Sequence, residues 1–77
     1  GDIEIWVKPL GKTGKQKAIA IMNRGEKTGQ TALTPEKIGV SSTSKLRDLW
    51  LHENIGKLGK SRTLTIPKHG IVVLKAK

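Results

Sequence analysis

The chain has 77 residues, no cysteine, and 15 lysines and arginines against six acids, a net charge of +9. That length excludes more than one ordinary domain and leaves a thin core, because a chain of this size buries only about 60% of its unfolded surface. The absence of cysteine excludes disulfide staples and thiolate metal sites without naming a compartment, and no apolar run approaches the ~20 residues of a membrane-spanning helix.

The first segment, Asp2 to Lys8, alternates: Ile3, Ile5 and Val7 take one face, Glu4, Trp6 and Lys8 the other. Period two predicts a half-buried strand, which Pro9 is expected to end. Gly11-Lys12-Thr13-Gly14-Lys15 reads as a polar, glycine-rich turn. Lys17 to Asn23 is the second strand, with Ala18, Ala20 and Met22 on one face and Ile19 and Ile21 on the other. Two mostly apolar faces predict a central strand covered on both sides. Asn23-Arg24-Gly25-Glu26 is a turn in which glycine is free to take a positive φ. Thr28 to Leu33 is rich in threonine and reads as an edge strand. Thr34-Pro35-Glu36-Lys37-Ile38-Gly39 is the only helical signal: a capping threonine, proline at the first position, and glycine as the stop. It allows one turn.

Ser41 to Ser44 is a polar link to a strand running from Lys45 to Trp50. There Leu46, Asp48 and Trp50 share a face, predicted to be the inner one, while Lys45, Arg47 and Leu49 share the opposite face. Arg47 and Asp48 therefore diverge and do not pair. Leu51 to Gly59 reads as a loop with two glycines. Arg62 to Ile66 alternates again, with Leu64 and Ile66 inward, and Pro67-Lys68-His69-Gly70 turns the chain into the β-branched run Ile71-Val72-Val73-Leu74. Such a run suits a strand between two packed layers. About six short strands with at most one helical turn predict an all-β, antiparallel, Greek-key-like sandwich in a single domain, residues 1–77.

The chemistry available is sparse. A carboxylate pair for glycoside cleavage needs two acids roughly 5–9.5 Å apart across a cleft. Of Asp2, Glu4, Glu26, Glu36, Asp48 and Glu53, only Asp48 lies where a strand could bury it. The simpler role for Asp48 is to accept hydrogen bonds from backbone N–H groups of the loop that follows. His52 and His69 both fall in turns, with no thiol partner and no close His-x-His spacing, so no metal or other cofactor is expected. Gly11 to Lys15 lacks the full phosphate-loop pattern and no helix follows it. Trp6 points away from Ile3, Ile5 and Val7. It suits docking against another domain, a second apolar layer, or a platform for a sugar or base.

The positive charge invites a nucleic-acid reading. Most of it is lysine, scattered from Lys8 to Lys77, which also serves to blunt strand edges. Single-strand binders stack bases on aromatics, and this chain has no phenylalanine, no tyrosine and two tryptophans. That argues against nucleic acid as the partner.

Read together, several short segments carry a resemblance. Glu4-Ile5-Trp6-Val7-Lys8-Pro9-Leu10 is similar to a first strand that follows a catalytic barrel. Ala18-Ile19-Ala20-Ile21-Met22-Asn23-Arg24-Gly25 is similar to an apolar strand ending in an asparagine turn, and Ile38-Gly39-Val40 to a short turn. Arg47-Asp48-Leu49-Trp50 with Gly56 is the most recognisable signature, and Ile66-Pro67-Lys68-His69-Gly70 through Leu74 resembles a closing hairpin. In order and spacing the chain resembles the C-terminal β-sandwich domain of the melibiase-type α-galactosidase and α-N-acetylgalactosaminidase glycoside hydrolases. The resemblance implies a noncatalytic module excised from a larger glycosidase, packed on a (β/α)8 barrel that holds the two catalytic aspartates. It implies no catalytic, cofactor-binding or metal-binding residue here. Its implied partners are that barrel and galactose-containing carbohydrate. It marks Asn23, Arg47, Asp48, Trp50, Pro67, His69 and Gly70 as structural signature residues and leaves Trp6 as the candidate interface or ligand contact. The high lysine content is not part of the family pattern and leaves room for an accessory binding role.

Overall fold

The computed structural model describes residues 2–12 and 16–77. It contains seven strands and one short helix in the order β1 (Ile3–Leu10), β2 (Gln16–Asn23), β3 (Gly29–Leu33), α1 (Pro35–Ile38), β4 (Lys45–Asp48), β5 (Glu53–Lys57), β6 (Arg62–Ile66) and β7 (Ile71–Ala76). Five strands form one antiparallel sheet in the order β1-β2-β7-β4-β5, and β3 pairs with β6 in a second. The expected all-β sandwich is present, with seven strands where about six or more were expected. Residues 13–15 of the glycine-rich turn lie outside the described residues.

The core follows from the alternation. Ile19 and Ile21 of β2, Leu46 of β4, and Leu74 and Ala76 of β7 project from one sheet, and Leu33 and Ile66 from the other. Ile38 and Leu58 close the gaps between the layers, and all nine side chains are essentially fully buried. The helix is a single turn for local reasons. Thr34 caps it through Oγ1, which accepts from the Lys37 N–H; Pro35 opens it; and Gly39 ends it in the left-handed conformation at φ 71°.

Several local expectations need correction. Pro9 does not end β1, which continues to Leu10; β1 is a sheet edge, where a missing N–H costs the ladder nothing. Gly25 does not adopt a positive φ. Its requirement is space, because a Cβ there would lie 2.7 Å from Asp2 Oδ2. The segment read as a loop after Leu51 contains β5. Glu53, Asn54, Gly56 and Lys57 are poor strand formers, and Ile55 is an extra residue bulged between the Leu46–Gly56 and Arg47–Asn54 pairs. The strand read through Trp50 stops at Asp48.

The closing segments are not a hairpin. β6 pairs with β3 in one sheet and β7 pairs with β2 and β4 in the other, so Pro67 to Gly70 carries the chain from layer to layer. β2 and β7 are central strands but are covered on one face only. Ala18, Ala20, Met22 and Val73 on the outer face are half-buried, and Ile71 is 55% exposed. No helix of the described residues is long and apolar enough to cross a membrane.

Candidate docking face and its supports

The outer face of the five-stranded sheet divides into two halves, and the strand register defines both. Glu4 stands opposite Met22, and Met22 opposite Ile71. One step along, Trp6 stands opposite Ala20 and Ala20 opposite Val73, whose carbonyl accepts a 2.9 Å hydrogen bond from the Leu49 N–H. These two rows are apolar apart from Glu4. The next row is Lys8, Ala18, Lys75, Arg47 and Asn54, and it begins a basic half. Among the described residues nothing covers the apolar half. Trp6 is 60% exposed on β1, and its indole Nε1 donates to Glu4 Oε2 at 3.2 Å. The same oxygen receives Arg24 at 3.2 Å, so the indole N–H is tethered to a charged pair. The expectation that Trp6 points away from the inner isoleucines holds.

The Arg47-Asp48 pair works on the turn that follows it, from two sides. Asp48 Oδ1 accepts from the N–H groups of Trp50 and Leu51, at 2.9 and 3.0 Å. Arg47 donates to Asn54 Oδ1 and to the His52 carbonyl, both at 3.1 Å. This is the role expected for Asp48, and the two side chains diverge as expected, with no ion pair between them. Trp50 is a correction. It does not fill the sandwich, because the turn that Asp48 closes lifts it out of the strand, and it is 80% exposed.

Asn23 was expected as a turn residue, and its side chain does more. Oδ1 accepts from the Gly25 N–H at 2.8 Å, and Nδ2 donates to the carbonyls of Lys27 and Ile66 at 2.9 and 3.0 Å. Ile66 belongs to the opposite sheet, so one buried amide brackets the two layers. Sequence reasoning missed this bracket. Its only trace was a polar residue at the inward register of an apolar strand, two places after Ile21.

Pro67 and Gly70 close their turn through a 2.9 Å bond from the Gly70 N–H to the Pro67 carbonyl. A Cβ on Gly70 would lie 2.7 Å from the proline ring. His69 takes a left-handed φ of 54°, and its exposed Nε2 lies 3.3 Å from Glu26. Among the described residues His52, at φ 56°, is the other non-glycine residue in that region. The structure therefore brings Arg47, Asp48, His52 and Asn54 together at one turn, and Asn23, Pro67, His69 and Gly70 where the chain crosses from β6 to β7. Neither group forms a catalytic constellation. Among the described residues no three of His, Asp and Glu converge as metal ligands.

Comparison with known proteins locates this arrangement. Residues 1–76 match the family described as the alpha galactosidase C-terminal beta sandwich domain. Over 54 residues the chain is 41% identical to an alpha-galactosidase of Coffea arabica, an alignment covering 68% of this chain and 14% of that protein. The crystal structure of alpha-galactosidase I from Mortierella vinacea superposes with a TM-score of 0.84 at 25% identity, covering 99% of this chain and 21% of that one. A β-L-arabinopyranosidase from Geobacillus stearothermophilus shares the fold, with a TM-score of 0.86 at 21% identity over 99% of this chain and 17% of its own. The chain thus spans between 14% and 21% of the length of these relatives.

Proposed function

Starting from the fact that the chain belongs to the α-galactosidase C-terminal β-sandwich family, a noncatalytic module, we propose that it is one domain of a longer glycosidase and packs on that enzyme's catalytic barrel. The observation that carries this reading is the uncovered apolar half of the outer sheet face. Trp6, Leu49 and Ile71 are all more than one-third exposed there, and Met22, Ala20 and Val73 fill the space between them. Isolated surface hydrophobes are ordinary, but a contiguous apolar area with a charged rim marks an interaction face. Trp6 sits on β1, at the N-terminal side of the chain. Burial of that area against a barrel would contribute roughly 25 cal/mol per Å² before the costs of association.

The module's contribution is then thermodynamic. It removes apolar surface from water on both partners and makes the barrel harder to unfold; cleavage of the α-galactoside belongs to the barrel. The test is the parent enzyme carrying Trp6→Ser together with Ile71→Ser. Its α-galactosidase activity should decay several-fold faster on heating, with KM unchanged. An unaltered half-life would contradict the docking role.

A second reading rests on Trp50. This indole is 80% exposed on a tight turn beside Asp48, and an exposed ring next to polar groups suits a sugar face. A carbohydrate-binding accessory role predicts localised NMR shifts around Trp50 or Trp6 on titration with galactosides. Silence up to millimolar sugar would count against it.

A further inference from the structure

The basic half of the outer face has no part in apolar docking, and its composition asks for a separate explanation. Lysines that are scattered along the sequence converge in the fold. Lys45, Arg47, Lys57, Lys75 and Lys77 line one open concavity of about 890 Å³ between β7, β4 and β5, together with Asn54. No acid lines it. Asp48, the nearest acid on β4, is turned into its own loop. Among the described residues none of the five cations takes part in an ion pair; the two pairs found involve Arg24, Glu4, His69 and Glu26.

The register makes the convergence costly. Lys45 is directly opposite Lys57, and Arg47 is directly opposite Lys75. Like charges facing each other across a sheet destabilise it, where a single acid would have stabilised it. Solubility alone does not require this arrangement, since the same lysines spread over the surface would serve it equally.

We propose that this concavity is a binding site for a linear acidic polysaccharide, a chain carrying carboxylate or sulfate groups at regular intervals. The cations form a grid, about 4.8 Å between strands and about 7 Å between alternate residues along a strand. That grid matches a polymer bearing one anionic group per ring better than it matches a single anion. The concavity falls in the size range of small-ligand sites, ~300–1,000 Å³, which admits a short run of sugar rings and no duplex. Its chemistry also disfavours nucleic acid. No aromatic side chain lines it for base stacking. Its one guanidinium is already engaged by Asn54 and the His52 carbonyl and is not a free fork for phosphate. The site lies toward the β5 edge of the sheet, away from Trp6 on the β1 edge, so it stands whether or not the apolar half docks on a barrel.

The test uses the 77-residue chain with labelled oligomers of polygalacturonate and of dextran sulfate, a neutral galactan of equal length, and single-stranded DNA of equal charge. Binding to one or both acidic polysaccharides is expected, the two arms showing whether carboxylate or sulfate is preferred. It should weaken steeply with salt, because bound cations release counterions from a polyanion. The variant Lys45→Gln/Arg47→Gln/Lys57→Gln/Lys75→Gln should lose at least about tenfold in affinity, the slope against log salt falling by about one per cation removed. A charge-matched control, Lys12→Gln/Lys27→Gln/Lys37→Gln/Lys68→Gln, should lose less than about twofold, since none of those four lysines lines the concavity and exposed charges are screened by salt. The first variant relieves like-charge contacts, so its thermal midpoint should rise, and Lys57→Glu alone should show both effects in smaller measure. Equal losses in the two variants would reduce the site to net charge and overturn the proposal. So would equal binding to neutral galactan, tighter binding to DNA, or no binding to either acidic polymer at low salt.

Discussion

The two faces of the five-stranded sheet are made by the same strands, residue by residue in alternation, and they differ in what closes them. The inner face is sealed by β3, β6, Ile38 and Leu58, leaving Ile19, Ile21, Leu46 and Leu74 with essentially no exposure. The outer face has the same backbone and comparable apolar content on β2 and β7, yet Ile71 and Trp6 remain more than half exposed. A strand's own sequence thus indicates that a face is apolar without saying whether anything inside the domain will cover it. In this small chain one apolar face makes the fold, and the other stays largely uncovered among the described residues.

Substitutions should separate the two faces clearly. The largest effect is expected on the inner face. Leu74→Ala removes a fully buried side chain between the sheets and should cost about 2–5 kcal/mol in chemical denaturation, enough to leave so small a domain largely unfolded. A cost below about 1 kcal/mol would mean that the core is not where the alternation puts it.

Next comes the polar bracket. Asn23→Ala deprives the Gly25 N–H and the Lys27 and Ile66 carbonyls of their partner and should cost about 1–3 kcal/mol. Asn23→Asp would retain one acceptor and lose both donations, so it should not rescue stability. Full rescue by aspartate would show that the link between the sheets contributes nothing.

Smaller again is the turn after β4. Asp48→Ala loses two backbone hydrogen bonds at a half-exposed site and should cost about 1 kcal/mol. Amide exchange should speed up locally at Trp50 and Leu51, with β2 and β7 unaffected. Faster exchange throughout the sheet would mean that this turn holds the fold and not merely itself.

Much of this was legible in the sequence because alternation is a local signal. Ile3, Ile5, Leu64 and Ile66 could be placed on a buried face from period two alone, and the cap, proline and glycine around Ile38 specified one helical turn. Asp48 could be read as a turn acceptor because it had no second carboxylate to work with. The misreadings share a cause: they depended on partners distant in sequence. β5 is held in the sheet by its pairing with β4, against the propensity of its own residues. β6 and β7 are separated by a tight turn but belong to different sheets, because β3 and β2 compete for them. Trp50 followed the alternation of β4 on paper, but the carboxylate of Asp48 bends the chain before it. The lysine cluster was invisible for the same reason, since Lys45, Lys57 and Lys75 become neighbours only when β4, β5 and β7 pair.

The claim that the outer apolar half is a docking face is tested most directly by one substitution measured in two contexts. Trp6→Ser should change the thermal midpoint of the 77-residue chain alone by very little, within the roughly ±0.5 kcal/mol of an ordinary surface change. In the longer glycosidase proposed above the same substitution should lower the midpoint by several degrees, because there the indole is expected to be buried. Equal shifts in the two contexts, whether both small or both large, would contradict a docking role for this face.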